Sequence, residues 1–271
     1  MYSYKLVGTL ITTQMDTWHA KKARLFLILT AVFISNALLA ELIGVKIFSF
    51  EKTVGITPFA FSLLGEGPFA WNLTAGVLMW PIVFISTDII NEYYGQQGVR
   101  FLSYLTIGII AYAFLMLYGA IKLVPADFWL QKNTQSGNIN MQVAFAQVFG
   151  QSLWIIVGSI TAFFTSQLID VFIFHEVKKI TGEKNIWLRA TGSTLVSQFI
   201  DSFVVLFIAF KIGQGWSFAL VMSICFVQYA YKFFMAILMT PVVYAVHGVI
   251  ERYLGEKLAV EMRGAAQGQV G

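Results

Sequence analysis

The chain has 271 residues, of which 58% are hydrophobic and 12% charged, against about 25% charged in an ordinary soluble domain. That excess of apolar surface, with 25 Phe in it, excludes a soluble enzyme, a disordered chain and a disulfide scaffold. The formal net charge is +4, but there is no Arg-rich arm or basic patch of the kind that binds nucleic acid. The apolar runs are long and continuous, unlike the short alternating segments of a transmembrane β-barrel, so the expected class is an all-α membrane protein.

Residues 1–24 are expected to form a cytoplasmic N-terminal segment, ending in the basic cluster Lys21, Lys22 and Arg24. A basic cluster before an apolar run resembles a signal peptide. This run is longer than a signal's apolar region and more runs follow it, so it reads as an uncleaved first helix. A bilayer core takes about 20 apolar residues per helix. Six stretches qualify: 25–47, 69–91, 101–123, 143–174, 190–211 and 217–249. Residues 25–250 thus read as one six-helix transmembrane domain, and residues 251–271 as a cytoplasmic tail, partly disordered over its Gly/Ala/Gln-rich end. Pro81 and Pro241 are expected to kink the second and sixth helices. Between the first two helices, residues 47–50 and 56–59 flank Glu51, Lys52 and Thr53 in the pattern of a short hairpin. Residues 125–142 form the longest polar stretch.

Basic residues set the orientation. Lys5, Lys21, Lys22, Arg24, Arg100, Lys178, Lys179, Lys184, Arg189, Arg252, Lys257 and Arg263 fall on one side, against Lys46, Lys52, Lys122, Lys132 and Lys211 on the other. The richer side is cytoplasmic, and both termini are expected there. The lone Cys225 lies in an apolar run and reads as a packing residue.

Charged groups in lipid are costly, so each one inside a span is a candidate functional group. At about 1.5 Å per residue, Asn36, Gln198, Asp201, Gln228 and Lys232 fall near the midplane of the first, fifth and sixth helices. Asp201 and Lys232 are expected to meet. A buried pair that only fixes helix packing is the competing reading, although such pairs are weak contributors to stability. Thr194, Ser197, Gln198 and Asp201 share one helix face, and Gln228 and Tyr229 neighbour Lys232. One acid, one base, amides, hydroxyls and nearby aromatics suit a planar heterocycle. A second layer lies nearer the cytoplasm: Asp88, Asn91 and Glu92, then Asp170, Glu176 and Arg189. Capping at the membrane surface explains it, as does an inner gate in which Asp88 or Asp170 exchanges partners with Arg189 or Arg100. Glu41 and Lys46 lie in the outer part of the first helix, where either they face an entry path or Lys46 simply snorkels to the interface. The phrase SQLIDVF at 166–172 returns as SQFIDSF at 197–203, five of seven positions identical, which is either an internal duplication or chance in apolar sequence.

No His pair has metal-ligand spacing, no Gly-x4-Gly-Lys-Ser/Thr motif binds ATP, and no Ser/His/Asp order or nucleophile elbow marks an enzyme. No cofactor or metal is expected. Several phrases in order resemble the queuosine precursor transporter family, of the vitamin-uptake-transporter type. They are Ser35-Asn36, STDIINEYYG at 86–95 with Arg100, QLIDVFIF at 167–174, LRATGST at 188–194 with Asp201, Tyr231-Lys232, and TPVVY at 240–244. The resemblance covers about residues 30–250. It implies an inner-membrane importer of a 7-deazaguanine base, preQ0 (7-cyano) or preQ1 (7-aminomethyl), similar in fold to the substrate-binding components of energy-coupling-factor vitamin transporters. A homodimer is plausible by the same resemblance, and an ATPase partner is left open. The alternative function is the substrate-binding subunit of an ATP-driven uptake complex. For such a base, a carboxylate accepts N1–H and the exocyclic amine together. Asp201, or alternatively Asp170 or Asp88, is the candidate for that grip. Asn36, Gln167 and Gln198 are the amide partners, and Lys232 is the counter-charge or the O6 donor. Tyr229, Trp80, Phe84 and Phe163 are candidates to stack on the ring. Glu92, Arg100 and Arg189 are the gate or ion-pair candidates.

Overall fold

The computed structural model describes residues 2–58, 61–135, 137–150, 153–181 and 186–266, with side chains described from Thr17 onward. It is an all-α membrane protein. Among the described residues, five helical stretches are long and apolar enough to cross a membrane: Thr17–Ile43, Trp80–Lys122, Met141–Thr181, Leu195–Ile212 and Phe218–Met235.

Helix α1 runs from Tyr2 to Ile43, so the N-terminal segment continues the first span rather than preceding it. The connection after it differs from the expected hairpin. β1 (Ile47–Ser49) is followed by one helical turn, α2 (Phe50–Thr53), and pairs antiparallel with β4 (Asn72–Thr74), not with residues 56–59. The pivot is Glu51. Its buried carboxylate accepts from the Trp71 backbone N–H at 2.7 Å and from Ser49 Oγ at 3.1 Å. A buried carboxylate is tolerated only when it is hydrogen-bonded, so these bonds fold 50–53 into a turn and pull 71–74 alongside β1. The intervening β2 (Phe61–Leu63) and β3 (Glu66–Phe69) form a hairpin of their own. A 3-10 turn, Ala75–Leu78, leads to α3 (Trp80–Lys122). Residues 69–79, expected as helix, are therefore strand and turn. Pro81 sits in the first turn of α3, where its missing N–H costs nothing, and starts the helix instead of bending it.

Helix α3 breaks at Gly95, whose φ of 68° and ψ of −172° are not helical. Its contacts with α6 (Leu153–Thr181) show what the break does. Trp80 meets Phe163, Thr87 meets Gln167, Asn91 meets His175 and Glu92 meets Lys178, descending α6. Beyond Gly95 the order reverses: Tyr104 meets Phe164, and the Ile121 carbonyl accepts from Gln142 of α5 (Met141–Phe149). Between them lie α4 (Asp127–Leu130) and the β5–β6 hairpin (Gln131–Thr134, Gly137–Asn140), which fill the polar stretch 125–142.

α7 (Ile186–Leu206) packs closely on α6, continues through a π-helical turn, Phe207–Ile212, and is followed by α8 (Phe218–Leu254). Pro241 stays inside α8. Within the segment 251–271, residues 256–266 form α9 (Glu256–Ala266), which buries Leu258, Ala259 and Met262 against the bundle. Hydrogen bonds clasp this end. Lys21 Nζ donates to the Tyr253 carbonyl, Lys22 Nζ to Glu261, Tyr94 OH to the Lys22 carbonyl and Arg263 to Glu251. The main core gathers α1, both arms of α3, α6, α8 and α9 around Phe33, Ile89, Ile90 and Leu102.

Candidate functional site

The polar residues separate into two regions along the bundle. The first is a chamber of about 530 Å³ toward the strand-bearing end, walled by α1, β4, the 3-10 turn, α3, α6, α7 and α8. That volume lies within the usual range for small-molecule sites. Asp201 of α7 and Lys232 of α8 line it, and Lys232 Nζ donates to Asp201 Oδ2 at 2.5 Å. Their side chains keep only 14% and 9% exposure, so the charges are held in low dielectric, where a matched pair is strong. Gln228, one turn before Lys232, also lines the chamber. Glu41 of α1 and Ser159 of α6 also line it, and the Ser159 hydroxyl donates to the Glu41 carboxylate. Trp80, Phe210 and Trp216 supply aromatic surface. The close approach of the 3-10 turn to α1 shapes the wall: a Cβ on Gly76 would stand 2.5 Å from the Ala40 carbonyl oxygen, so only glycine fits.

The second region is a buried polar file toward the Gly95 end. Ser197 Oγ of α7 donates to Asp170 Oδ1 of α6 at 3.0 Å. Thr87 Oγ1 reaches Gln167 Oε1 at 3.5 Å. Asn91 Oδ1 and His175 Nε2 are 2.9 Å apart, and Tyr93 OH and His247 Nδ1 are 3.4 Å apart. Lys178 Nζ donates to Glu92 Oε2 at 3.1 Å, with side chains only 6% and 1% exposed. Asp88 is buried in the same layer. Among the described residues, the buried atoms Asn91 Nδ2 and Gln198 Oε1 have no hydrogen-bond partner. Such atoms are costly in a packed interior.

Of the expected site residues, Asp201 and Lys232 line the chamber together. Asp88, Gln167, Asp170 and Gln198 belong to the buried file. Asn36 Nδ2 donates to the carbonyl of Val32 in its own helix. Tyr229 packs edge-on against Phe199, with ring centroids 5.3 Å apart, and is not a chamber residue. Trp80 lines the chamber and stacks on Phe84, and it also meets Phe163. The repeated phrase places its two aspartates apart, Asp201 in the chamber and Asp170 in the file, because α6 and α7 run in opposite directions. Glu92 pairs with Lys178, Asp170 takes a serine hydroxyl, and Arg100 is exposed. The Arg189 and Thr194 side chains and Lys184 lie outside the described residues. Lys178 and His175 were missed because they sit at a helix end that reads as interfacial. Ser159 was missed because a lone serine in an apolar helix carries no signal.

A family profile described as "Putative vitamin uptake transporter" matches residues 74–246, which takes in α3, α6, α7 and most of α8. The chain belongs to that family. Three relatives are similar to it over most of their length. The "Probable queuosine precursor transporter" of Bacillus subtilis is 29% identical over 186 residues, covering 67% of this chain and 75% of that protein. The protein of the same name from Haemophilus influenzae is 24% identical, covering 73% of this chain and 76% of its own. The "Queuosine precursor transporter" of Escherichia coli is 25% identical, covering 70% and 77%. No solved structure matches the chain. A vitamin uptake transporter of this family is a multi-pass membrane protein, and most of the chamber and of the polar file lies within the matched segment, apart from the chamber residues before Thr74 and His247 of the file.

Proposed function

We propose that this member of the vitamin uptake transporter family imports a queuosine precursor, a 7-deazaguanine base such as preQ0 or preQ1, across a bacterial inner membrane. The observation that carries the reading is the chamber itself, where an Asp201–Lys232 pair, Gln228 and aromatic walls converge in a bundle whose relatives bear that name. A guanine-type edge presents N1–H and an exocyclic amine as adjacent donors, which one carboxylate accepts at once. Asp201 takes that edge, Lys232 serves O6, and Trp80 or Trp216 covers a ring face.

The reversed contacts beyond Gly95 support six crossings, with the two arms of α3 as separate spans. Both termini and Gly95 then lie at the cytoplasmic face, where the basic residues concentrate. In this reading the Glu92–Lys178 pair closes the cytoplasmic side, and Asp88, Gln167, Asp170 and Gln198 line the way between the chamber and that closure.

The test is uptake of radiolabelled preQ1 by the purified chain in liposomes. Saturable uptake that a D201A/K232A double variant loses supports the reading. Dissipating an imposed proton gradient then separates coupled transport from facilitated diffusion. A folded chain that binds neither preQ0 nor preQ1 overturns the reading. Binding without uptake, restored by an added ATPase fraction, assigns the chain to the alternative role of substrate-binding subunit.

A further inference from the structure

Glu41, Asp88, Glu92, Asp170, Glu176 and Asp201 are the carboxyl-bearing residues of the described membrane-spanning stretches. Lysines hold Glu92, Glu176 and Asp201, through Lys178, Lys179 and Lys232. Asp170 is held differently. It is only 6% exposed, at the seam where α6 packs on α7. Ser197 of α7 donates to it at 3.0 Å, and Ser193, one turn earlier on α7, also hydrogen-bonds to it. Among the described residues it forms no ion pair. The other titratable groups around it are spread over three helices. On α3, Asp88 falls near its level, between the Thr87 contact with Gln167 and the Asn91 contact with His175, and Glu92 follows one turn on. On α6, His175, Glu176 and Lys178 lie toward the Gly95 end. On α7, Asp201 lies one turn beyond Ser197 and is taken by Lys232.

A serine hydroxyl donates to a carboxylate and accepts from a carboxylic acid. A carboxyl served by serines therefore keeps its partners with or without its proton. Adding a proton to Asp201 or Glu92 would instead strand a lysine charge in low dielectric. Gln198, beside Ser197 on α7, supplies a second observation. Its Oε1 is buried and accepts from no donor among the described residues, which is costly. A protonated carboxyl carries a donor of the kind this oxygen lacks, and an ionised one does not.

We propose that Asp170 is the proton-binding group of the transport cycle, taking a proton from the outer side and releasing it to the cytoplasm as a base is imported. The proposal rests on reading the chain as an importer. The proton adds to a carboxylate oxygen of Asp170 and later leaves it, and no covalent bond of the base changes. Carboxyls buried within spans are the usual carriers of such protons. In the same reading Asp170 stands between the chamber and the Glu92–Lys178 closure, on the path that base and proton share.

The experiment uses the purified full chain in liposomes with radiolabelled preQ1. Uptake is measured under an imposed proton gradient, acid outside. It is measured again without a gradient in vesicles preloaded with unlabelled preQ1, where exchange needs no net proton movement. The ratio of the two within each protein cancels differences in insertion and in affinity. The wild type is expected to accumulate base under the gradient. Asp170→Asn keeps the shape and cannot bind the proton, so it loses gradient-driven accumulation while exchange persists. Asp170→Glu, which restores an ionisable group, regains the gradient response. Should Asp170→Asn not fold, Asp170→Ser, also unable to carry the proton, replaces it in both assays. A gradient response that survives in the folded variant overturns the proposal. Loss of exchange together with accumulation in a folded variant also overturns it, and assigns Asp170 to base binding or packing. A wild type that exchanges base but ignores the gradient overturns it while leaving the import reading standing. A folded wild type that binds no base overturns that reading instead.

Discussion

Lys232 of α8 and Asp201 of α7 meet at 2.5 Å on the wall of the chamber, each with most of its side chain out of solvent. Removing one partner strands the other charge in low dielectric, at a cost of about 3–5 kcal/mol. Asp201→Ala and Lys232→Ala are therefore each expected to lower the thermal unfolding midpoint in detergent sharply. The double variant should recover much of that loss while still failing to bind base. A double variant no more stable than the singles would show that the pair is not coupled.

Glu92 and Lys178 repeat the same physics at the other end, more deeply buried. Lys178→Met keeps the stem's volume and deletes the charge, so Glu92 is left stranded. The single variant should lose about 3–5 kcal/mol, and adding Glu92→Gln should restore most of it. If the pair also closes the transport path, the double variant will admit a membrane-impermeant thiol reagent to a reporter cysteine placed at Ser197. The native Cys225 is fully buried and gives a low background.

Gly95→Ala forces a left-handed backbone on a residue with a side chain. Its Cβ would also stand 3.0 Å from the Ala266 carbonyl oxygen of α9. A stability loss of about 1–3 kcal/mol is expected from the backbone alone. Ending the chain at Leu254 should remove the steric part and leave the backbone part, which a comparison of Gly95→Ala in the two lengths will separate.

Reversal of the chain at Gly95 can be tested by topology reporters. A reporter inserted after Gln97 should be active only in its cytoplasmic form, and one inserted after Gln135 only in its external form. The same location for both insertions would exclude separate spans on either side of Gly95.

The class of the protein was legible in its composition, because a bilayer core demands apolar length and little else. Helix depth was legible too. A rise of about 1.5 Å per residue is enough to bring Asp201 and Lys232 to one level. Depth says nothing of helix rotation, however, so Asn36 and Tyr229 shared that level while their side chains took other partners. Lys178 looked like an orientation signal, and only packing against the first arm of α3 made it the partner of Glu92. The connection 44–79 was the least legible. Its pairing of 47–49 with 72–74 depends on Glu51 finding the Trp71 amide, a contact between residues 20 apart.

What the sequence determined by itself is therefore everything governed by local hydropathy and rise: an all-α membrane bundle, its apolar stretches, and the levels of its charges. Only the tertiary structure decided which charges share a space. It put Glu41 and Ser159 in one chamber with Asp201 and Lys232, and it drew Asp170, Gln167 and Gln198 into a separate file. Whether two side chains at one depth meet is set by how neighbouring helices turn and where strands and turns approach them, and those are relationships among distant residues rather than properties of any one segment.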